Sequence, residues 1–308
     1  MIKRNLAIRV PASTSNLGSG FDALGLAINL PLTVKFSIEK SGRQIHATGE
    51  GAEVIATEKN NLLLKAFDRA CRKLGCEPPP LQIKMHNSIP LKRGLGSSGA
   101  AIVAGLVGAN SLLGKKLSQQ QLLDLANEME GHPENASASL LGGLTVNGSE
   151  NGKVRLHRFL LPEDWAAAAF IPALEIATHD ARRVLPEILP RHDAVNNVQR
   201  VAVLVAAFAK RDAALLSFGV QDWLHQPYRK VLIPGFDDIL AAAYEAGAFA
   251  AFLSGSGSTL LAICAKPKAK KISAAMARAA ARHRLTGTAA VLRFSRRGVE
   301  ILNQTVRP

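Results

Sequence analysis

Gly94, Gly96 and Gly99, with Ser97 and Ser98 between them, form the strongest chemical signal in the chain. The stretch reads Ile89-Pro90-Leu91-Lys92-Arg93-Gly94-Leu95-Gly96-Ser97-Ser98-Gly99-Ala100. Upstream, Leu81, Ile83 and Met85 alternate with polar residues, the period of a strand. Downstream, residues 101–113 are apolar and end before Gly114, the pattern of a buried helix with a glycine stop. A glycine-rich turn between strand and helix can offer amide hydrogens and a positive helix end to an anion. Glycines without Cβ let a phosphate approach the backbone, and the two serines add hydroxyls for a phosphate or its Mg2+. No Lys-Ser/Thr pair follows the last glycine, so the loop is not a Walker A motif. Its spacing matches a dinucleotide-binding fingerprint, but that fold needs an acidic strand end about twenty residues on. Here that place leads into a helix containing Asp124, so the match is set aside. A tight turn packed with small residues is the plain structural alternative.

Other groups could serve the same chemistry. Mg2+ prefers oxygen ligands, and Ser98 with Glu130 offers them. Glu128 is the rival, although on a helix it points away from Glu130. Asp22 ends the polar segment Pro11-Ala12-Ser13-Thr14-Ser15-Asn16-Leu17-Gly18-Ser19-Gly20-Phe21-Asp22. His132 and Asn135 stand in Glu130-Gly131-His132-Pro133-Glu134-Asn135, Arg182 in Thr178-His179-Asp180-Ala181-Arg182, and Arg229 in Leu224-His225-Gln226-Pro227-Tyr228-Arg229. Singly, each has an ordinary explanation: a solvated glutamate, a turn-capping histidine, a surface arginine.

These residues need a scaffold. Alternation predicts strands at residues 6–10 and 34–38, with the Ser/Asn/Gly segment between them. Asn60 or Asn61 can cap a helix running to Leu74. Ser118 and Gln121 read as a capping box, followed by a helix through Met129. A second short helix spans residues 134–141, and Asn147-Gly148 and Asn151-Gly152 punctuate a hairpin returning over residues 154–159. The pattern resets at Leu161-Pro162, which predicts domains of residues 1–160 and 161–308. The second half reads as a strand at 165–171, helices at 181–189, 193–210 and 237–246, strands at 250–253 and 259–264 around Ser254-Gly255-Ser256-Gly257-Ser258, a helix at 270–284 and a strand at 288–294. Strands and helices mix without strict alternation, so the class is α+β.

The chain of 308 residues is 47% hydrophobic and 20% charged, as expected of a globular protein with a full core. No apolar run reaches the roughly eighteen residues of a membrane span, and the apolar start is too short for a signal peptide. Cys71, Cys76 and Cys264 form no metal pattern, and a reducing cytoplasm is expected. The net charge of +14 suits an anionic ligand or nucleic acid. Aromatic residues at 5% argue against a base-stacking surface.

The stretch from Pro90 to Ala100 resembles the phosphate-binding motif of the GHMP small-molecule kinases. The segments ending at Asp22 and at Asn135 narrow the resemblance to homoserine kinases, over essentially the whole chain. It implies an N-terminal domain like the second domain of ribosomal protein S5 and a ferredoxin-like C-terminal domain. It further implies ATP on Pro90, Leu91, Lys92, Arg93, Gly94, Leu95, Gly96, Ser97, Ser98, Gly99 and Ala100, with Asn61 near adenine and Mg2+ on Ser98 and Glu130. L-homoserine would meet Asn16, Asp22, His132, Asn135, Arg182 and Arg229. The arginines would grip its carboxylate in bidentate forks, Asp22 would take its ammonium, and Asn135 would orient its hydroxyl with His132 alongside. The resemblance also suggests a homodimer; with the composition above, the expectation is a cytoplasmic protein that binds neither membrane nor nucleic acid. Other GHMP kinases, of mevalonate or sugar type, and a basic nucleic-acid-binding protein are the alternatives. The chain departs from the family pattern at Glu134, where aspartate is common, at Ala136-Ser137-Ala138, and at Ser258, where proline is usual.

Overall fold

The expected strands at residues 6–10 and 34–38 are the outer ends of two much longer ones, β1 (Asn5–Asn16) and β2 (Gly20–Ile38), paired antiparallel. The Ser/Asn/Gly segment read as a connection is therefore mostly strand. Ser13, Thr14 and Ser15 are buried in it, and buried polar residues erase the apolar alternation on which a strand is recognised. The computed structural model describes residues 4–58, 60–114 and 116–302.

Next come β3 (Arg43–Gly49), α1 (Ala52–Thr57), α2 (Leu62–Lys73) and β4 (Leu81–Asn87), with β3 parallel to β4 and β4 antiparallel to β2. The Asn61 side chain caps α2 by accepting from the Leu63 and Leu64 amides. Helix α3 (Ser97–Leu112) is apolar and small-residued on every side and is buried accordingly. It lies against β1, with α2 and α4 (Gln119–Glu130) beside it. The Ser118–Gln121 capping box is present, and Gly131 closes α4 in a left-handed conformation. Helix α5 (Glu134–Leu141) packs on β1 and β2, followed by the hairpin β5 (Leu144–Glu150) and β6 (Lys153–Phe159). Its turn is Asn151-Gly152, both at positive φ as a two-residue hairpin turn requires. Asn147-Gly148, expected to be a turn, lies inside β5.

The second half contains β7 (Trp165–Pro172), α6 (Thr178–Arg183), α7 (Arg191–Lys210), α8 (Ala213–Gly219), α9 (Gln226–Arg229), α10 (Phe236–Glu245), β8 (Ala250–Leu253), β9 (Leu260–Ala265), α11 (Ala269–Arg282) and β10 (Gly287–Leu292). The expected helix over 181–189 is shorter and earlier, because Pro186 bars its continuation. Sequence patterning did not reveal α1, α8, α9 or β3. The sheet order β10-β7-β9-β8, all antiparallel, is that of a ferredoxin-like βαββαβ unit. Alternate residues of β7 enter two cores: Ala166, Ala168 and Phe170 meet α10 and α11, while Ala167 and Ala169 join the core that runs through the first sheet. A strand buried on both faces reads as a continuous apolar run, as this one does. The chain then crosses back: β11 (Glu300–Leu302) pairs antiparallel with β1. A division at residue 160 does not anticipate that return. The class is α+β, in two parts.

Candidate active site

The loop ahead of α3 shares one cleft with Asp22, His132, Arg182 and Arg229, with about 1280 Å³ of empty space including its open mouth, whereas Glu130 lies behind Ser98 and does not line it. Its wall near α1 and α2 is mostly apolar, formed by Val54, Ile55, Leu62 and Leu91 with Glu58 and Asn61 among them.

Helix α3 starts inside the glycine motif, four residues earlier than its apolar run suggests. Gly96 is its N-cap, and the Ala100 amide donates to the Gly96 carbonyl as the first intrahelical bond. The amides of Ser97, Ser98 and Gly99 therefore have no carbonyl one turn behind them, the arrangement that receives an anion. The glycines have a second reason to be there. A Cβ on Gly94 would sit 2.0 Å from the Ser254 carbonyl oxygen, and one on Gly96 2.0 Å from Ser13 Oγ. Both have positive φ. Their absent side chains let the protein close onto the loop, so packing contributes to the pattern that phosphate access was expected to explain. Ser254 Oγ donates to the Gly94 carbonyl at 2.7 Å, and the amides of Ser13, Ile176 and Thr259 donate to the carbonyls of Leu95, Lys92 and Arg93. The loop is thus held from both halves of the chain. Lys92 and Arg93 share Glu175 at 3.5 and 3.6 Å. Leu95 is buried but touches the cleft, Pro90 to Ser98 line it, and Gly99 and Ala100 do not.

Ser98 Oγ donates to Glu130 Oε1 at 2.6 Å, and Glu130 Oε2 is buried without a partner among the described residues. Burial is the main reason that the Glu130 carboxyl is lifted to about 7; His132 and the Ser98 hydrogen bond pull it down, and Glu134 adds to the rise. A hydroxyl beside an unpartnered carboxylate oxygen is a hard-oxygen donor set that fits Mg2+. Glu128 is engaged elsewhere, in three hydrogen bonds from Arg69.

Asn135 is nearly saturated. Its Oδ1 accepts from Ser13 Oγ at 3.0 Å, and its Nδ2 donates to Ser15 Oγ at 3.1 Å and Glu134 Oε1 at 2.9 Å. The Glu134 carboxylate fixes this orientation, because the flipped amide would set oxygen against oxygen. One acceptor site on Oδ1 remains, so Asn135 can accept from a hydroxyl but cannot donate to one. Glu134 is buried, and its Oε2 has no partner among the described residues. His132 Nδ1 lies 3.0 Å from Glu134 Oε1, close enough for charge pairing although not aligned as a hydrogen bond. Burial opposes charge on His132, but Glu134, Glu130 and Asp22 outweigh it and lift the imidazole to about 9.

Asp22 and Arg182 meet at 2.8 Å. Arg229 is 2% exposed. Burial and the neighbouring Arg182 lower it to about 10, so it stays charged at neutral pH. Its Nε donates to the Ala181 carbonyl, and its Nη1 faces the Gly255 carbonyl and His225 Nδ1. Among the described residues only Nη2 is left for a ligand, which corrects the expected bidentate fork at this residue. The Phe21 ring lies 5.5 Å from the Arg182 guanidinium and 5.2 Å from that of Arg229. Asn16 accepts from the Asp22 amide and donates to the Gly255 carbonyl. Asn61 borders the apolar wall, but its cap and a bond to the Ile55 carbonyl leave it one free N–H. The Ser254–Ser258 turn leans on β1, with the Gly255 amide donating to the Ser15 carbonyl, and the Ser258 hydroxyl donates to the Leu174 carbonyl. Ser13, Ser15, Phe21, Glu134 and His225 were not assigned site roles from sequence; their one signal was membership of the quoted motifs.

Residues 61–143 match the GHMP kinases N terminal domain, and residues 204–282 the GHMP kinases C terminal domain. With the two-part fold and the helix-start loop, these matches define a GHMP small-molecule kinase. The homoserine kinase of Moorella thermoacetica is 45% identical over 275 residues, covering 89% of this chain and 92% of the relative. That of Carboxydothermus hydrogenoformans is 43% identical over 264 residues, 86% of each. The crystal structure of homoserine kinase from Cytophaga hutchinsonii superposes with a TM-score of 0.88 at 30% identity, covering 98% of both chains. L. major mevalonate kinase, at 16% identity and a TM-score of 0.70, shares the fold. The chain belongs to the homoserine kinase family.

Proposed function

We propose that the protein transfers the γ-phosphoryl group of ATP to the hydroxyl of L-homoserine, giving O-phospho-L-homoserine for threonine biosynthesis. One observation carries the reading: a single cleft is lined by the helix-start loop and by side chains of both charges, Asp22 and Glu134 with Arg182 and Arg229. An amino-acid zwitterion needs both signs, mevalonate needs only the cation and a neutral sugar needs neither. Nothing in the site favours the nucleic-acid alternative.

The amides of Ser97 and Ser98 receive the transferred phosphoryl, and the wall near α1 and α2 takes adenine. Ser98 and Glu130 hold Mg2+, which when bound neutralises phosphate charge. Asn135 accepts a hydrogen bond from the acceptor hydroxyl and aims its lone pair. His132 carries its proton at neutral pH and so cannot take another. The hydroxyl proton can leave late, to phosphate, if the transition state is loose. Product identification by mass spectrometry after incubation with ATP and homoserine tests the reading; an unphosphorylated acceptor contradicts it. The same reading makes the protein a cytoplasmic homodimer, divided near residue 160 with β11 returned to the first part. Among the described residues no helix is long and apolar enough to cross a membrane.

Two results follow. Asn135→Ala should lower kcat by roughly ten- to a hundredfold, as expected for one or two lost hydrogen bonds. In single turnover its pH profile should keep the wild-type shape. An acidic limb abolished by Glu134→Gln would instead make Glu134 the base. For His132, a folded pKa of about 9 above the ordinary 6.5 means a stabilising contribution complete below 6.5 and lost as pH rises through 9. The Tm difference between wild type and His132→Gln should therefore shrink across that window. A constant difference would show that the charge pairing contributes nothing.

A further inference from the structure

The geometry points to His225 as a positioning residue: we propose that its neutral imidazole holds Arg229 with Nη2 directed at the acceptor carboxylate. This rests on the reading that Arg229 meets that carboxylate. His225 is fully buried one helical turn before Arg229. Its Nε2 lies 2.9 Å from the Gly18 carbonyl, which only accepts, so Nε2 bears the hydrogen. Its Nδ1 lies 3.3 Å from Arg229 Nη1, which only donates, so Nδ1 is bare. The Nε2–H tautomer alone satisfies both neighbours.

The charged surroundings agree. Asp222 Oδ2 stands 3.5 Å from Nε2, but the Asp222 carboxylate already accepts from the amides of Leu224, His225 and Gln226. Burial above all, with Arg229, works against a charged imidazole, Asp222, the Gly18 carbonyl and Asp22 work for it, and the balance lowers its pKa. The ring also stacks on Phe21 at 5.1 Å, the same ring that lies beside both arginines. His225 is thus the one side chain among the described residues that accepts from Arg229; the other acceptors are backbone carbonyls from α6 and the 254–258 turn. His225 is the N-cap of the one-turn helix that ends at Arg229, so the imidazole sets the guanidinium against that otherwise fixed frame.

Asparagine and glutamine separate the two ring nitrogens. Asn places its amide near Nδ1 and can accept from Arg229; Gln places it near Nε2 and keeps only the Gly18 contact. The readout is kcat/KM for homoserine over that for homoserinol, which lacks the carboxylate, with KM for ATP and Tm alongside. His225→Gln should lower the ratio about tenfold through KM for homoserine, with kcat and KM for ATP little changed. His225→Asn should hold the ratio within about twofold of wild type. His225→Phe, which keeps the stacking without an acceptor, takes the place of Gln if that variant does not fold. Equal retention or equal loss of the ratio in the Asn and Gln (or Phe) variants overturns the proposal, as does a loss tracking Tm and KM for ATP. A wild-type ratio near one overturns the carboxylate reading itself, and this inference with it, before any variant is made.

Discussion

Changing Glu130 to Gln should lower kcat/KM by about a hundred- to a thousandfold, the scale of several kcal/mol of charge stabilisation lost from a metal site. The buried, unpartnered Oε2 beside Ser98 is the reason. Ser98→Ala should be impaired in the same direction, with a weaker Mg2+ response. Glu128→Gln should change little, since its partner Arg69 holds it at the surface, where an ion pair contributes about 0–1 kcal/mol. Glu130 titrates near 7, above its ordinary value. The proton it holds without an ion favours the folded state below that ordinary value, and the contribution is lost as pH rises through 7. Cation binding needs the carboxylate, so apparent Mg2+ affinity should rise over the same window in wild type and not in Glu130→Gln. Severe loss in Glu128→Gln with Glu130→Gln near normal would put the metal on the wrong carboxylate.

Arg182→Leu should lower kcat/KM for homoserine by roughly ten- to two-hundredfold, the equivalent of about 1.5–3 kcal/mol for a charged hydrogen bond. Arg182 is the better test of carboxylate recognition than Arg229. It is half-exposed with its Nη2 on Asp22, whereas Arg229→Leu would strip partners from the Ala181 and Gly255 carbonyls and unsettle the fold. Lysine restores the charge but not the planar donor set, so Arg182→Lys should recover only part of the loss. Homoserinol should be a poor substrate of the wild type and nearly indifferent to Arg182→Leu. An unchanged homoserine-to-homoserinol ratio would mean that Arg182 does not read the carboxylate.

Sequence reading succeeded where chain chemistry is local. Ser118 and Gln121 define a helix start by their own hydrogen bonds, and Pro133 with Gly142 bounds α5 where expected. It failed where the answer lies in a distant partner. The polar half of β1 is strand because Ser13 and Thr14 find Asn135 and Ser254 across the fold. The short β11 exists only through its pairing with β1. Asn147-Gly148 carries a turn signature yet runs as strand, since Asn151-Gly152 closes the hairpin. The loop, Asp22, Asn135 and both arginines, named from the sequence, line one cleft. The sequence could not show that Arg229 is buried with most of its donors spent, or that Glu134 fixes the Asn135 amide, because both depend on packing between segments remote in the chain.

Whether one cleft brings ATP to a zwitterionic hydroxy amino acid is measured most directly by coupled ADP release, with Mg2+ and ATP present and homoserine, homoserinol or mevalonate supplied in turn. Homoserine should drive ADP release far faster than either analogue, with O-phospho-L-homoserine formed in equal amount to ADP. ADP release that is the same without an acceptor, or faster with mevalonate or homoserinol, would contradict the account.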